Sequence, residues 1–292
     1  MRNSPAAFGR TSAILPLAAI TALSTGCRTL PTATRPTAQG PLVAQADGVL
    51  TVAEGKRLIA KAVARMPLVQ QALERGMVIV CKGTTNTYVA EELLGRRIAP
   101  GAFVIGRVTP RKGAASMPAV DSMPEVVLIR GQHRPEITLD EALRRLAPGD
   151  VVIKGGNALD YANRIVGVWT GSPTGGTAGK ILPLITARKA HLVIPIGLEK
   201  LVATSPTETA ARTVEPVTPV TPVPRMRILA GEIVTEIEAL RILANVAAFQ
   251  ASAGGIGGAE GAVWLVWRGK REDVERARAL VEAIQGEKPF VR

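Results

Sequence analysis

Met77-Val78-Ile79-Val80-Cys81 runs into Lys82-Gly83-Thr84-Thr85-Asn86 and then into Thr87-Tyr88-Val89-Ala90-Glu91-Glu92-Leu93-Leu94. The unbroken apolar run, the polar turn with its glycine and the following segment read as a buried strand, a tight turn and a helix. At such a turn the first backbone N–H groups of the helix have no intrahelical acceptor and face the carboxyl end of the strand. The helix dipole adds roughly half a positive charge at the same point, which suits an anion. Thr84, Thr85 and Asn86 contribute short side-chain donors, and Lys82 contributes a full charge. Lys82 to Asn86 is therefore the expected cradle for a phosphate or carboxylate, although the same residue types also serve as ordinary N-caps.

The same grammar repeats along the chain. Upstream, Thr51-Val52-Ala53-Glu54 is a capping box that opens a helix with Leu58, Ile59, Ala62 and Val63 on one face, and Pro67 separates it from a second segment, Leu68 to Arg75. Downstream, a short strand is expected near Phe103 to Val108, another at Glu125 to Ile129, and a capped helix from Thr138 to about Ala147. Val151-Val152-Ile153 then ends in Lys154-Gly155-Gly156-Asn157, followed by a predicted helix over Ala158 to Val166 and the strand Val168-Trp169-Thr170. A third glycine turn, Gly171 to Gly179, leads through a helix ending near Lys189 to the strand Leu192 to Ile196. Strands alternating with helices, with glycines at strand ends, predict an α/β fold with a doubly wound parallel sheet and a ligand site at the carboxyl ends of its strands.

Around this core the expected boundaries are a flexible tether over 28–48, an α/β ligand-binding domain over 49–202, a Pro/Thr-rich linker over 203–227 and a small α+β subdomain over 228–292. In the last part Thr235-Glu236-Ile237-Glu238 caps a helix through Leu243. Strands over Val246 to Ala251 and Ala262 to Trp267 flank a glycine loop, and a final helix spans Glu272 to Ile284.

The 292 residues are enough to bury a full core, and an apolar fraction of 47% fits a folded protein. A formal charge of +12 points to anionic partners: phosphorylated metabolites, lipid head groups or nucleic acid. Nucleic acid is the weakest of the three, because only 3% of residues are aromatic and single-strand binders depend on stacking. Two cysteines and two histidines, with no Cys/His cluster, indicate neither a disulfide framework nor zinc. No metal or nucleotide cofactor is indicated.

The candidates for chemistry cluster at the turns. Lys154, at the mouth of a strand and followed by Gly155, Gly156 and Asn157, can neutralise a phosphate or polarise a carbonyl, with the two glycines letting backbone approach a ligand. Asp160, Glu91 and Glu92 are candidate bases. Gly175, Gly176 and Thr177 before a helix offer a second anion nest, although the glycine spacing matches neither the dinucleotide fingerprint nor a Walker loop. Cys81 reads as a small buried hydrophobe, and Trp264 and Trp267 as core and rim residues.

At the amino end, Arg2 and Arg10, the apolar segment Ala13 to Leu23 and Ser24-Thr25-Gly26-Cys27 have the layout of a secretory signal. The cysteine after small residues resembles the lipobox of bacterial lipoproteins, which implies cleavage and lipidation at Cys27. One departure is that Ser24 occupies the place usually held by leucine. The expected address is the cell envelope, held by a lipid anchor, with a cytoplasmic protein as the alternative if this segment is not a signal. The apolar run is shorter than the ~20 residues that a spanning helix needs.

Taken in order, the turns resemble those of type A ribose-5-phosphate isomerase and its wider superfamily of sugar isomerases, DeoR-type effector domains and coenzyme A transferases. The family's Gly-Thr-Gly-Ser-Thr phosphate loop is similar to Cys81-Lys82-Gly83-Thr84-Thr85 with Tyr88 and Glu91-Glu92-Leu93 beyond it. Its Ile-Lys-Gly-Gly-Gly motif is similar to Ile153-Lys154-Gly155-Gly156-Asn157, and its Lys-Leu-Val strand end resembles Lys200-Leu201-Val202. The resemblance implies a Rossmann-like sheet with a small ferredoxin-like subdomain, phosphate held by Thr84 and Thr85, and Lys154 near a reacting carbonyl. Two features depart from it: the family's acidic segment before Lys154 is missing, and the position of its catalytic glutamate holds Asn163. The expected function is binding of a small phosphorylated or carboxylated metabolite, with proton or acyl transfer as the step if the chain is an enzyme. The alternative is a non-catalytic envelope lipoprotein that binds an anionic ligand or partner. Substrate identity and oligomeric state are not legible in the sequence.

Overall fold

The computed structural model describes residues 44–105, 108, 112 and 120–289. It opens with β1 (Ala44–Leu50), and the capping box then starts α1 (Val52–Arg65): Glu54 N–H donates to the Thr51 hydroxyl at 3.4 Å and Thr51 N–H to the Glu54 carboxylate at 2.8 Å. Pro67, whose missing N–H costs nothing at a helix start, begins α2 (Pro67–Arg75), and β2 (Met77–Val80) follows. Next come α3 (Thr84–Leu94), β3 (Val126–Ile129), β4 (Gln132–His133), α4 (Leu139–Arg144) and β5 (Val151–Ile153). Then follow β6 (Ala158–Asp160), β7 (Ile165–Thr170), α5 (Gly176–Arg188), β8 (His191–Pro195), a 3-10 turn (Leu198–Lys200) and α6 (Pro206–Arg212). The chain continues through β9 (Arg225–Leu229), β10 (Glu232–Val234), α7 (Glu236–Ala244), β11 (Ala247–Ala253), β12 (Val263–Gly269) and α8 (Arg271–Ile284).

The result is a mixed α/β fold around a six-stranded sheet of order β10-β8-β5-β2-β3-β4. β2, β5, β8 and β10 are parallel, in registers that set Val80 beside Ile153, Ile153 beside Val193 and Val234 beside Pro195. Val78, Ile79, Val80, Val151, Val152 and Ile153 are fully buried, as expected for strands covered on both faces. α1 packs between α3 and α7 and is buried along most of its length, charged residues included. A three-stranded antiparallel sheet, β1-β12-β11, lies against α7 and α8.

Several expectations are corrected. The sheet is not wholly parallel, since β3 pairs antiparallel with β2 and β4 with β3. The segment Ala158 to Val166 is a hairpin rather than a helix. Asp160 accepts from Asn163 N–H and from Asn163 Nδ2, Arg164 adopts φ +56°, and the turned chain pairs as β6-β7-β9. The local bonds of an Asx turn compete with helix here, and burial of Leu159, Val166 and Val168 rewards the strand pairing. The stretch read as a linker contains α6 and enters β9, and β10, beyond it, joins the large sheet beside β8. β1, partly inside the expected tether, completes the carboxyl-terminal sheet by pairing with β12. In the expected strand near Phe103 to Val108, residues 106 and 107 lie outside the described residues, and Phe103 to Ile105 is not strand.

Candidate functional site

All four parallel strands end along one rim. Cys81 follows β2, Lys154 follows β5, Gly197-Leu198-Glu199-Lys200 lies just beyond β8, and Thr235-Glu236 follows β10. Cys81 N–H donates to Ile153 O at 2.9 Å and Lys154 N–H to Val193 O at 3.0 Å, so the side chains that matter begin on adjacent backbones.

At the β2 end, Gly83 is the N-cap of α3 and supplies no side-chain acceptor. Thr84, Thr85 and Asn86 therefore precede the first helical bond, Thr87 N–H to Gly83 O at 2.8 Å. Asn86 is fully buried and its Nδ2 donates to Cys81 O at 2.7 Å and Ile153 O at 3.2 Å, fixing α3 across the ends of two strands. Its Oδ1 and the hydroxyl of Thr85, which is 3% exposed, are buried without a hydrogen-bond partner. Buried polar atoms are rarely left in that state. Lys82 reaches Ser122 Oγ at 3.0 Å, on the outer side of the turn.

At the β5 end, Lys154 is 9% exposed and its Nζ donates to Gly155 O at 3.0 Å. Burial lowers its pKa, since the ammonium has lost water without gaining a paired carboxylate. Lys200 makes the neighbouring bond, Nζ to Gly156 O at 2.9 Å, and burial pulls it down to about 8 against the opposing pull of Glu199. Two ammonium groups thus rest on consecutive carbonyls of one turn. Gly155 lies between Asn86 and β8: a side chain there would begin 3.5 Å from Asn86 Oδ1 and 3.3 Å from Pro195 O. Gly156 has a different reason from the one expected. A Cβ on it would sit 2.2 Å from Val166 Cγ1, so packing of the hairpin, not approach of a ligand, requires glycine.

The β8 and β10 ends bring in two carboxylates and a third lysine. Glu236 is 2% exposed, and its Oε2 accepts from Leu198 N–H at 2.9 Å. Desolvation, and then the charge of Glu199, push its pKa well above the carboxylate range. Glu199 has both carboxylate oxygens buried without a hydrogen bond, while Lys56 of α1 holds Oε1 at 3.2 Å as an ion pair. The pair distance and the missing hydrogen bond are compatible: the ammonium is close, but its geometry is not that of a directed bond. Cys81 beside this rim is inert, because burial raises its thiol to about 12.

Of the residues expected from sequence, Gly83, Thr84, Thr85, Asn86, Lys154, Gly155 and Gly156 lie along this rim, while the Lys82 ammonium is engaged by Ser122 instead. Asn157 turns away into the hairpin, its N–H on Gly167 O at 2.7 Å and its Oδ1 accepting from Trp169 N–H. Asp160 is held in the hairpin turn by Asn163, and the bond from the Asn163 side chain lowers its pKa, so neither residue stands where a base was sought. Gly175, Gly176 and Thr177 start α5, with Gly175 against the Arg227 guanidinium of β9. Glu91 and Glu92 are tied to Arg57, which also binds Glu287, around a separate cavity of about 860 Å3 that no residue of the rim lines. Cys27 lies outside the described residues.

Lys56, Glu199, Lys200 and Glu236 carry no local signature of a shared site, because they sit in α1, a 3-10 turn and α7, separated by up to 180 residues. The sequence holds one signal of their meeting. Gly55 interrupts the capped helix Val52–Arg65, at a cost of about 1 kcal/mol relative to alanine, and its missing side chain admits Glu236, whose Oε1 would be 2.5 Å from a Cβ there. Gly197 does the same for Glu199 Oε2, at 1.7 Å.

Among the described residues no group of three or more His, Cys, Asp or Glu side chains is arranged to hold a metal ion. Compared with protein-family models, curated proteins and solved structures, the chain gives no match.

Proposed function

We propose that the chain binds a small phosphorylated or carboxylated metabolite at the carboxyl ends of β2, β5 and β8, with the anionic group against the amides of Thr84, Thr85 and Asn86 and with Lys154 beside it. The observation that carries this reading is the buried, unpartnered Thr85 hydroxyl at an uncapped helix start after β2, with a buried lysine that has no carboxylate partner at the end of the adjacent strand β5. An anion would supply the missing acceptor for the amides and hydroxyl and the missing counter-charge for the ammonium. A Rossmann-like arrangement of the isomerase and coenzyme A transferase type, in which Lys154 faces a carbonyl, is part of the same proposal. So is the export route, with acylated Cys27 tethering the domain to the cell envelope.

The test is thermal unfolding with inorganic phosphate, ribose 5-phosphate and acetyl-coenzyme A. A ligand at ~100 times its Kd stabilises by about 2.7 kcal/mol. Thr85→Val removes an unsatisfied hydroxyl, so the variant without ligand should be at least as stable as the parent while losing most of the ligand-induced shift; Lys154→Met should behave the same way. Equal shifts in parent and both variants, or no shift with any of the three anions, would remove the site.

A further inference from the structure

We propose that the cavity of about 860 Å3 between α1, α3 and the end of α8 is a second ligand site, for a small di- or tricarboxylate, and that Glu287 of the chain itself holds the place of one ligand carboxylate. Glu287 Oε2 accepts from Arg57 Nε at 3.0 Å and from Arg97 Nη2 at 3.3 Å, and its Oε1 accepts from Arg57 Nη2 at 3.4 Å and from Arg97 Nη1 at 2.7 Å. One carboxylate is thus gripped by two guanidinium forks, each through two nitrogens, which is how arginine recognises planar anions. Arg57 is oriented for this without help from Glu287. It is buried, is also held by Glu91 and Glu92, and lies 4.6 Å over the ring of Tyr88. Glu91 in turn accepts from Ile98 N–H at 2.8 Å and from Arg97 at 3.1 Å, which fixes the loop that carries the second guanidinium.

The segment that delivers Glu287 is a strap, not part of the core. Beyond Ile284, which is buried at the end of α8, residues 285–289 bury no apolar side chain, and Glu287 alone is drawn inward, its side chain 11% exposed. Polar contacts hold the rest: Gly286 N–H on the Glu54 carboxylate at 2.8 Å and the Tyr88 hydroxyl on Lys288 O at 3.3 Å. The cavity has room and charge for more than the one carboxylate. Its volume falls in the range of small-molecule sites, about 300–1,000 Å3, and five cations line it against three carboxylates. Two of those cations, the side chains of Arg96 and Lys288, make no ion pair or hydrogen bond among the described residues. A ligand with two or three carboxylates sets one in the clamp in place of Glu287 and turns the others toward these free charges. Because a tethered Glu287 competes at an effective concentration in the millimolar range, the resting chain binds such a ligand weakly and release of the strap opens the site.

The experiment is isothermal titration calorimetry of the full chain with citrate and glutarate, and with sulfate at matched ionic strength as the anion that is not a carboxylate. Citrate should bind the parent in the millimolar range, and Glu287→Gln, which withdraws the competing charge, should bind it at least about tenfold more tightly. Arg96→Ala removes a cation without touching the clamp and should weaken citrate by about fivefold in either background. Affinities of parent and Glu287→Gln within about twofold of each other overturn the proposal. So does sulfate binding as tight as citrate, or no binding of either carboxylate by either protein. Citrate binding that neither substitution alters belongs to the strand-end rim, and it overturns the cavity site while leaving the proposed function standing. If Glu287→Gln does not fold, the parent and Arg96→Ala decide: citrate binding that weakens in Arg96→Ala supports the site, and any other result overturns it.

Discussion

Replacing Lys200 by methionine tests whether the rim holds charge in reserve. Lys200 ordinarily would titrate at 10.5, and burial near Lys56 and Lys154 brings it down to about 8 despite Glu199 and Glu236. At about 1.4 kcal/mol per tenfold change, keeping it charged at neutral pH costs the fold about 3 kcal/mol. The unfolded chain holds that proton up to 10.5 and the folded chain releases it near 8. Between those values the unfolded state binds more protons, so this group's contribution to stability rises with pH across that window. Lys200→Met keeps most of the side-chain volume, removes the titration and leaves Gly156 O without its donor, a loss of about 1–3 kcal/mol. At neutral pH the two effects offset each other, and the variant should lie within about 2 kcal/mol of the parent. Urea unfolding below, within and above the window gives the decisive quantity, the difference between parent and variant, in which other titrations cancel. That difference should move by about 3 kcal/mol in the parent's favour as the pH rises. A difference that stays flat, with the variant much weaker throughout, would mean Lys200 is a fully compensated structural charge and the rim is not poised for an anion.

Further outcomes follow from single contacts. Gly156→Ala should cost about 3 kcal/mol through its 2.2 Å clash with Val166, while Gly155→Ala, whose nearest neighbour is at 3.3 Å, should cost under about 1 kcal/mol; similar urea midpoints for the two would contradict the packing account. Arg57→Ala leaves Glu91 buried and loses the guanidinium 4.6 Å over Tyr88, so a loss of about 3–5 kcal/mol is expected by chemical denaturation. Burial pushes Glu287 up, but bonds from Arg97 and Arg57 outweigh it and hold its pKa low. The stability it contributes is present above the ordinary carboxylate value and disappears as the pH falls through the depressed one, and Arg57→Ala should flatten that acid limb. Intact mass of the mature protein tests the amino terminus: an acylated Cys27 at the first position is expected from the lipobox-like residues, and an unmodified Met1 in the native host would exclude it.

Much of the large sheet was legible because parallel strands covered on both faces must be continuous apolar runs, and Met77–Val80, Val151–Ile153 and the strand at Leu192 to Ile196 are such runs. Capping boxes at Thr51, Thr138 and Thr235 marked three helix starts through purely local bonds. For the same local reason the helix start after β2 and the position of Lys154 at a strand end were legible. What only the tertiary structure decided depends on pairing across long stretches of chain. Ala158 to Val166 carries apolar residues at helical spacing, yet β9 offers a strand partner and the chain takes it. β1 joins β12 from the far end of the sequence. The placement of Glu199 and Glu236 is of the same kind. They look like ordinary surface acids in their own neighbourhoods, and their carboxylates are buried at the rim only because Gly55 and Gly197 leave room for them. Desolvation and charge proximity are properties of the folded arrangement, and no local pattern of residues encodes them.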